Sequence, residues 1–428
     1  PNTNVDSGDT VTVTVRVQET NAGSAIAYEG RIAYTMPTGL SANGTFSSGT
    51  CGGIVSNTIS SGSAVFDFTT IPDATDCTFT FDVDLNSSAV FGSTINLTSD
   101  VTWTSFPGTL TTSQSTFSTV ATERTGSTSD PGGALNTYSG TDTEGLTVSD
   151  FGLGLSTTGP LGDVRIGDLI TYAVTVTIPE GTSGTSITLV DPLPDGLVFV
   201  SDANFTASGA LTCSVSCSSP TRVVAAGGGQ VEYTFGTISN SDTTDATPET
   251  ITFDVVAAVA NVAAVADGTA ITNEVQIGSI SATSGAVTVR EPSMTVGVSL
   301  PTGPFDSGDT MTVTVNLAES AATSAAAYDA VVDVTLPTGL ANATNFNAGT
   351  CPSPASQALG AASANLTFST IADGTSCSFT FDVTVQDAAV INGMPSVGAA
   401  LTWTSFPGDL TSTQSTFGTA TERTGSTS

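Results

Sequence analysis

The residues of this 428-residue chain that could do chemistry are six cysteines, thirty-nine carboxylates and two tryptophans, in the complete absence of histidine and lysine. Without an imidazole or an amine there is no Ser-His or Cys-His pair, no histidine-bound zinc and no Schiff base. The cysteines fall in three local pairs, Cys51 with Cys77, Cys213 with Cys217, and Cys351 with Cys377. None is left over and four-ligand zinc spacing is missing, so the pairs read as disulfides. Closing the two longer loops would contribute on the order of 3 to 4 kcal/mol each. Such bonds imply an oxidising, extracytoplasmic compartment.

Two carboxylates could together run glycoside hydrolysis. Asp191 and Asp195 are the neatest pair by spacing, but they bracket a turn, where Asp is an ordinary residue, and the reading is that the chain is no enzyme. Calcium is the stronger candidate, since surface sandwiches stiffen their junctions with carboxylates. Asp6 and Asp9, Asp163 and Asp168, and Asp306 and Asp309 sit in Gly-Asp loops, with Asp150 and Glu291 at junctions. No segment has the spacing of an Asp-rich calcium loop, so the metal ligands stay open and no other cofactor is assigned. Trp103 and Trp403, with Phe106 and Phe406, form either an exposed aromatic platform or core anchors at a strand end; the second reading is preferred.

All seven basic residues are arginines, Arg16, Arg31, Arg124, Arg165, Arg222, Arg290 and Arg423, and the net charge is −32. That field repels phosphate backbones and anionic lipids, which excludes nucleic acid and electrostatic membrane docking. The longest apolar stretch, Val255 to Ala266, is interrupted by Asn261 and too short to cross a bilayer. With neither an initiator Met nor a signal peptide, the expectation is a mature secreted chain or a piece of one. At 39% hydrophobic residues it can still bury cores.

The elements that must position these residues repeat. Asp6-Ser7-Gly8-Asp9-Thr10 recurs as Asp306-Ser307-Gly308-Asp309-Thr310, and Thr102-Trp103-Thr104-Ser105-Phe106-Pro107-Gly108 recurs as Thr402 to Gly408. Glu123 to Ser129 recurs as Glu422 to Ser428. Between the two copies lies a different sequence on the same ground plan. Each unit opens with Gly-Asp and strict alternation: Val11, Val13, Val15 and Val17; Ile170, Tyr172, Val174 and Val176; Met311, Val313, Val315 and Leu317. Period two with β-branched residues predicts half-buried strands. Each unit then reaches Pro-x-Gly-Leu, at Pro37, Pro194 and Pro337, and later a second strand carrying Phe79 and Phe81, Ile251 and Phe253, or Phe379 and Phe381. Short strands at turn-punctuated spacing make an all-β sandwich.

The middle unit resembles the bacterial surface repeat called domain of unknown function eleven, an immunoglobulin-like module of long tandem arrays. The resemblance rests on Gly167-Asp168-Leu169-Ile170-Thr171-Tyr172, Val190-Asp191-Pro192-Leu193-Pro194-Asp195-Gly196-Leu197, Ile271-Thr272-Asn273-Glu274-Val275 and Arg290-Glu291-Pro292. The outer units look like a divergent branch. The resemblance implies a domain type and is almost silent about function; with no Lys, the Lys-Asn isopeptide bonds of some related modules cannot form.

The expected architecture is all-β, tandem immunoglobulin-like β-sandwich domains in an elongated rod. Residues 1–150 form one type with its opening strand missing, 151–292 a second type, and 293–428 a copy of the first with its closing strand missing. The missing strands would come from adjoining repeats of the same chain or from a neighbouring copy, the former being preferred because neither end carries a spare extension. The junctions run strand to strand, Val148 to Phe151 and Val289 to Met294, leaving little room to swing. Two functions fit: a structural segment of an extracellular surface fibre, stalk or filament, or an adhesin or surface-layer module binding a ligand, a glycan or a neighbouring cell. Near-identical copies favour the first, because a spacer gains length by duplication.

Overall fold

Alternating Val and Thr leave a chain little choice but a pleated strand, apolar on one side and wet on the other. Three such strands, Thr10–Gln18, Leu169–Ile178 and Thr310–Glu319, each pair antiparallel with a second one, Asp76–Leu85, Glu249–Val259 and Ser376–Val385. The registers match, setting Val15 opposite Phe79, Val174 opposite Phe253 and Val315 opposite Phe379. The structure is a computed structural model and describes residues 5–19, 25–108, 138–244, 247–260, 262, 265–319, 325–389, 395–408 and 424–427. Arg124 and Arg423 lie outside the described residues.

A third strand joins each sheet: Leu40–Ser47, Leu197–Ala207 or Leu340–Asn347. The Pro-x-Gly-Leu turns launch them, with Leu40 N donating to Pro37 O at 3.1 Å, Leu197 N to Pro194 O at 3.0 Å and Leu340 N to Pro337 O at 3.0 Å. Gly39, Gly196 and Gly339 take φ of 97°, 105° and 102°, a region only glycine enters without strain, which is why the turn keeps that residue in both unit types.

The opposing sheet has five strands in the same order in every unit. It runs Ile54–Ser60, Ser63–Ile71, Ala27–Thr35, Thr94–Thr104, Ser139–Thr147 in the first, and Thr221–Val224, Val231–Gly236, Ile187–Asp191, Glu274–Ile277, Ile280–Thr283 in the middle. In the third it runs Ser356–Leu359, Ser363–Ile371, Ala327–Thr335, Gly398–Thr404, Thr424–Thr427. The chain is therefore a tandem of three β-sandwiches. Residues 424–427 take the edge beside Leu401 to Thr404 that Ser139 and Gly140 take beside Thr102 and Val101 in the first copy.

The first sheets differ at one edge. Gly152–Gly159 pairs with Leu169–Ile178, and Met294–Ser299 pairs with Thr310–Glu319. Among the described residues, no strand pairs with the outer edge of Thr10–Gln18.

Aromatic rings fill the cores, with Phe66, Phe79, Phe81, Phe253, Phe379 and Phe381 all buried. Phe66 and Phe79 pack at 4.6 Å between centroids, Tyr233 and Phe253 at 4.8 Å. Cys51 is bonded to Cys77 across a separation of 26, with Cα atoms 5.0 Å apart, and Cys351 to Cys377 across the same separation at 4.8 Å. Both bonds clip the loop after the third strand to the start of the second. Cys213 and Cys217, four apart, are bonded at a Cα distance of 5.2 Å.

Loop length sets the expected cost of opening these bonds. Replacing Cys51 and Cys77 by Ser should lower the stability of the first sandwich by on the order of 3 to 4 kcal/mol, and replacing Cys213 and Cys217 should lower that of the middle one by about 2 kcal/mol. Urea unfolding of the two double variants checks the order.

Candidate functional site

The Gly-Asp loops put their second carboxylate onto the backbone. Asp9 Oδ2 accepts from Asp6 N at 3.2 Å, Asp168 Oδ2 from Arg165 N at 2.8 Å and Asp309 Oδ2 from Asp306 N at 2.7 Å. These are side-chain turns of the kind Asp builds readily. Asp163 pairs with Arg290 Nε at 3.1 Å, Asp150 Oδ1 accepts from Phe151 N at 2.8 Å, and Glu291 N donates to Asp267 Oδ1 at 3.0 Å. A cleft of about 210 Å³ between the first two sandwiches is lined by Asp6, Asp150, Glu180 and Glu249. Among the described residues, no three carboxylates or cysteines gather closely enough to hold a metal ion.

Asp191 and Asp195 do not face one another across a substrate space. Asp195 is exposed in its turn, whereas Asp191, the last residue of its strand, is 0% exposed. Its partner is Asn273, equally buried, whose Nδ2 donates to Asp191 Oδ2 at 3.2 Å. Asn273 is fixed in turn, its N donating to Ser284 Oγ at 2.9 Å while its O accepts from Ser284 N at 2.8 Å. Burial raises the Asp191 pKa to about 7, with the Asn273 bond pulling part of the way back. The Tyr172 hydroxyl is also raised, by burial first and by the Asp191 charge second. Two stretches singled out in the sequence thus meet as one acid–amide pair, though 82 residues separate its members. Nothing in their spacing announced it.

The seams between sandwiches are the other built feature. At the first, Ser7 N donates to Glu180 O at 3.1 Å, Phe91 N to Thr182 O at 3.0 Å and Thr182 N to Ala89 O at 3.1 Å. The Phe91 ring leaves its own sandwich, meets Phe151 edge-on at 5.2 Å and joins the core of the middle one. Gly181 makes this approach possible: its φ is 123°, and a Cβ there would lie 2.7 Å from Ala89 O. At the second seam the Arg165 guanidinium stacks 5.4 Å above the Tyr328 ring and donates to its hydroxyl. Phe406 packs against the cluster of Val164, Ile166, Ile170 and Tyr172. Trp403 is 7% exposed, and its Nε1 donates to Pro292 O at 3.1 Å. Trp403 is a core anchor; Trp103 is half-buried beside Tyr138, ring centroids 5.9 Å apart.

No protein-family model matches the sequence, and no curated protein does. Among solved structures the chain is similar to the C-terminal domain of the AgI/II polypeptide BspA of Streptococcus agalactiae. That match has 9% identity, covers 67% of this chain and 94% of that one, and has a TM-score of 0.28. It is also similar to the C-terminal domain of the Streptococcus pyogenes antigen I/II-family protein AspA, at 13% identity, 67% and 93% coverage and a TM-score of 0.27. A third is the 35 kDa C-terminal fragment of the major pilin of Streptococcus agalactiae, at 14% identity, 60% and 85% coverage and a TM-score of 0.25. Likeness at this level carries no argument about what this chain binds or does.

Two measurements follow from the site. Asp191 binds its proton with a pKa near 7 when folded, against 3.8 as an ordinary carboxyl, so the folded state holds more protons in between. The Asp191 contribution to stability is therefore full below about pH 4 and is lost as the pH rises through 7, by on the order of 4 kcal/mol. Asp191→Asn should stabilise the middle sandwich at pH 8 and change little at pH 4, as read by thermal melts across that range. At the seam, Gly181→Val should cost about 1 to 3 kcal/mol and speed proteolysis between Thr147 and Gly152. Gly209→Ala, with nothing near its Cβ, is the control and should stay within about 0.5 kcal/mol.

Proposed function

We propose that the chain is a structural repeat segment of an extracellular surface fibre, stalk or filament, an elongated rod with its units divided at 150/151 and 292/293. The observation that carries this reading is the construction of the seams. Each is closed by groups from both sides, Phe91 and the Thr182 backbone at one, Trp403, Phe406 and Arg165 at the other. A flexible tether would leave neighbouring sandwiches free to turn; buried aromatic contacts and backbone hydrogen bonds across a boundary fix their angle. Load or length is what such stiffness serves. Three disulfides suit an oxidising exterior, and the −32 charge keeps a long rod soluble and off phosphate surfaces.

Small-angle scattering and negative-stain imaging of the isolated chain test the mechanical half of the proposal, and immunogold labelling of intact cells the other half. One extended particle with a narrow spread of interdomain angles and label on the outer surface is expected. A broad distribution of angles, or label confined to the interior, would overturn it.

A further inference from the structure

Residues 5–108 and 305–408 are two copies of one sandwich in two surroundings, and equivalent positions differ by 300 in number. In the third sandwich Met311, Val313, Val315 and Leu317 are 4%, 0%, 0% and 0% exposed. In the first, Val15 is 8% exposed while Val11, Val13 and Val17 are only half-buried. Ala325 and Ser405 are buried, whereas Ala25 and Ser105 are exposed. Trp403 is closed over, whereas Trp103 is half-buried. These positions lie on the side that meets the middle sandwich in the third unit; the opposite differences, Ser7 and Ala89 buried against Ser307 and Ala389 exposed, lie at the seam where the first sandwich meets the middle one.

The neighbour explains that side. On the third sandwich, Met294–Ser299 adds to the edge of Thr310–Glu319 with Val296 opposite Leu317 and Val298 opposite Val315. Pro292 O accepts from the Trp403 indole, and Arg165 stacks on Tyr328. The first sandwich keeps the same receiving parts in the same geometry. Thr104 Oγ1 donates to Tyr28 O and Phe106 O, both at 3.1 Å, as Thr404 Oγ1 donates to Tyr328 O at 3.0 Å and Phe406 O at 3.1 Å. Gly108 N donates to Glu29 Oε1 at 2.9 Å, as Gly408 N does to Asp329 Oδ2 at 3.1 Å.

We propose that this side of the first sandwich is a socket for a further copy of the middle sandwich together with the strand that follows it. A strand of the Met294–Ser299 type adds antiparallel to Thr10–Gln18, which places the equivalent of Val296 opposite Val17 and of Val298 opposite Val15. The carbonyl before that strand accepts from the Trp103 indole, and a guanidinium equivalent to that of Arg165 covers Tyr28. Strand addition satisfies the edge amides and carbonyls while alternate side chains close the core, so register and affinity come from one contact. The proposal rests on the fibre reading for its biological meaning, but peptide binding can fail while the rod stays straight, so the two fail separately.

The test mixes the full chain with a synthetic peptide of the sequence Arg290–Leu300 and follows amide exchange by mass spectrometry. Exchange across Thr10–Gln18 should slow about tenfold once free peptide is about ten times its Kd. Exchange across Thr310–Glu319, already paired, should not change, and tryptophan emission should shift to the blue. A peptide carrying Val296→Asp and Val298→Asp should protect nothing. Unchanged exchange at Thr10–Gln18 in millimolar peptide would overturn the proposal. Equal protection by the Asp-substituted peptide, or protection at Thr310–Glu319 instead, would overturn it as well.

Discussion

The structure depends on the strand that opens a sandwich directly after the last strand of the one before it. Met294–Ser299 follows the last strand of the middle sandwich by a few residues, yet all its ladder bonds run to the third. Gly152–Gly159 does the same for the middle sandwich after Ser139–Thr147. A sandwich sheet of three strands leaves its edge row of backbone groups and part of its core open to water. Closing a half-exposed valine is worth roughly 1 kcal/mol, so covering several in a row outweighs the cost of ordering a short strand. The boundary between units is thus a link of a few residues between the last strand of one sandwich and the first of the next.

Charge plays the smaller part in holding the array together. Arg16 and Asp76 join through two hydrogen bonds, and Arg222 reaches Asp202 at 2.8 Å, but these pairs sit at the surface, where ion pairs add little. Arg165 is different because its guanidinium is part-covered, bound to Asp168 at 3.5 Å and stacked on Tyr328 across the seam. A planar cation suits that double role better than an ammonium would. In a chain carrying −32, seams built from rings and backbone are insensitive to the salt that would screen charged ones.

The strands were legible because period two survives in a single sequence: Val11 to Val17, Ile170 to Val176 and Met311 to Leu317 each announce a pleated face, and Pro-x-Gly-Leu announces the turn. The repeat added what propensity could not, since a motif recurring after about 300 residues has one fold in both places. What stayed hidden lies in pairs far apart along the chain. Asp191 read as a turn residue because its distance to Asn273 is set by two sheets, not by spacing. Phe91 looked like any apolar residue of the first unit, although its ring is buried in the second. Trp103 and Trp403 stand in identical sequences, so no reading of those residues could have told the half-buried one from the buried one; the Trp403 indole is bound to Pro292 of the neighbouring unit, while Trp103 lies beside Tyr138.

That last case bears on why the two unit types alternate. Arrays of identical neighbours exchange strands readily, since each strand fits the next domain as well as its own. Here adjacent sandwiches share a plan but not a core. The middle strand offers Phe253, Val255 and Ala257 where the outer ones offer Phe79, Phe81 and Val83 or Phe379, Phe381 and Val383. A swap between neighbours would set rings and aliphatic side chains against the wrong partners and lose packing that cores fill almost completely. Sandwiches of the same type are held a full repeat apart, beyond easy reach of one another. At the second seam the strand Met294–Ser299 carries the alternation of Met294, Val296 and Val298 that closes the core of its own sandwich.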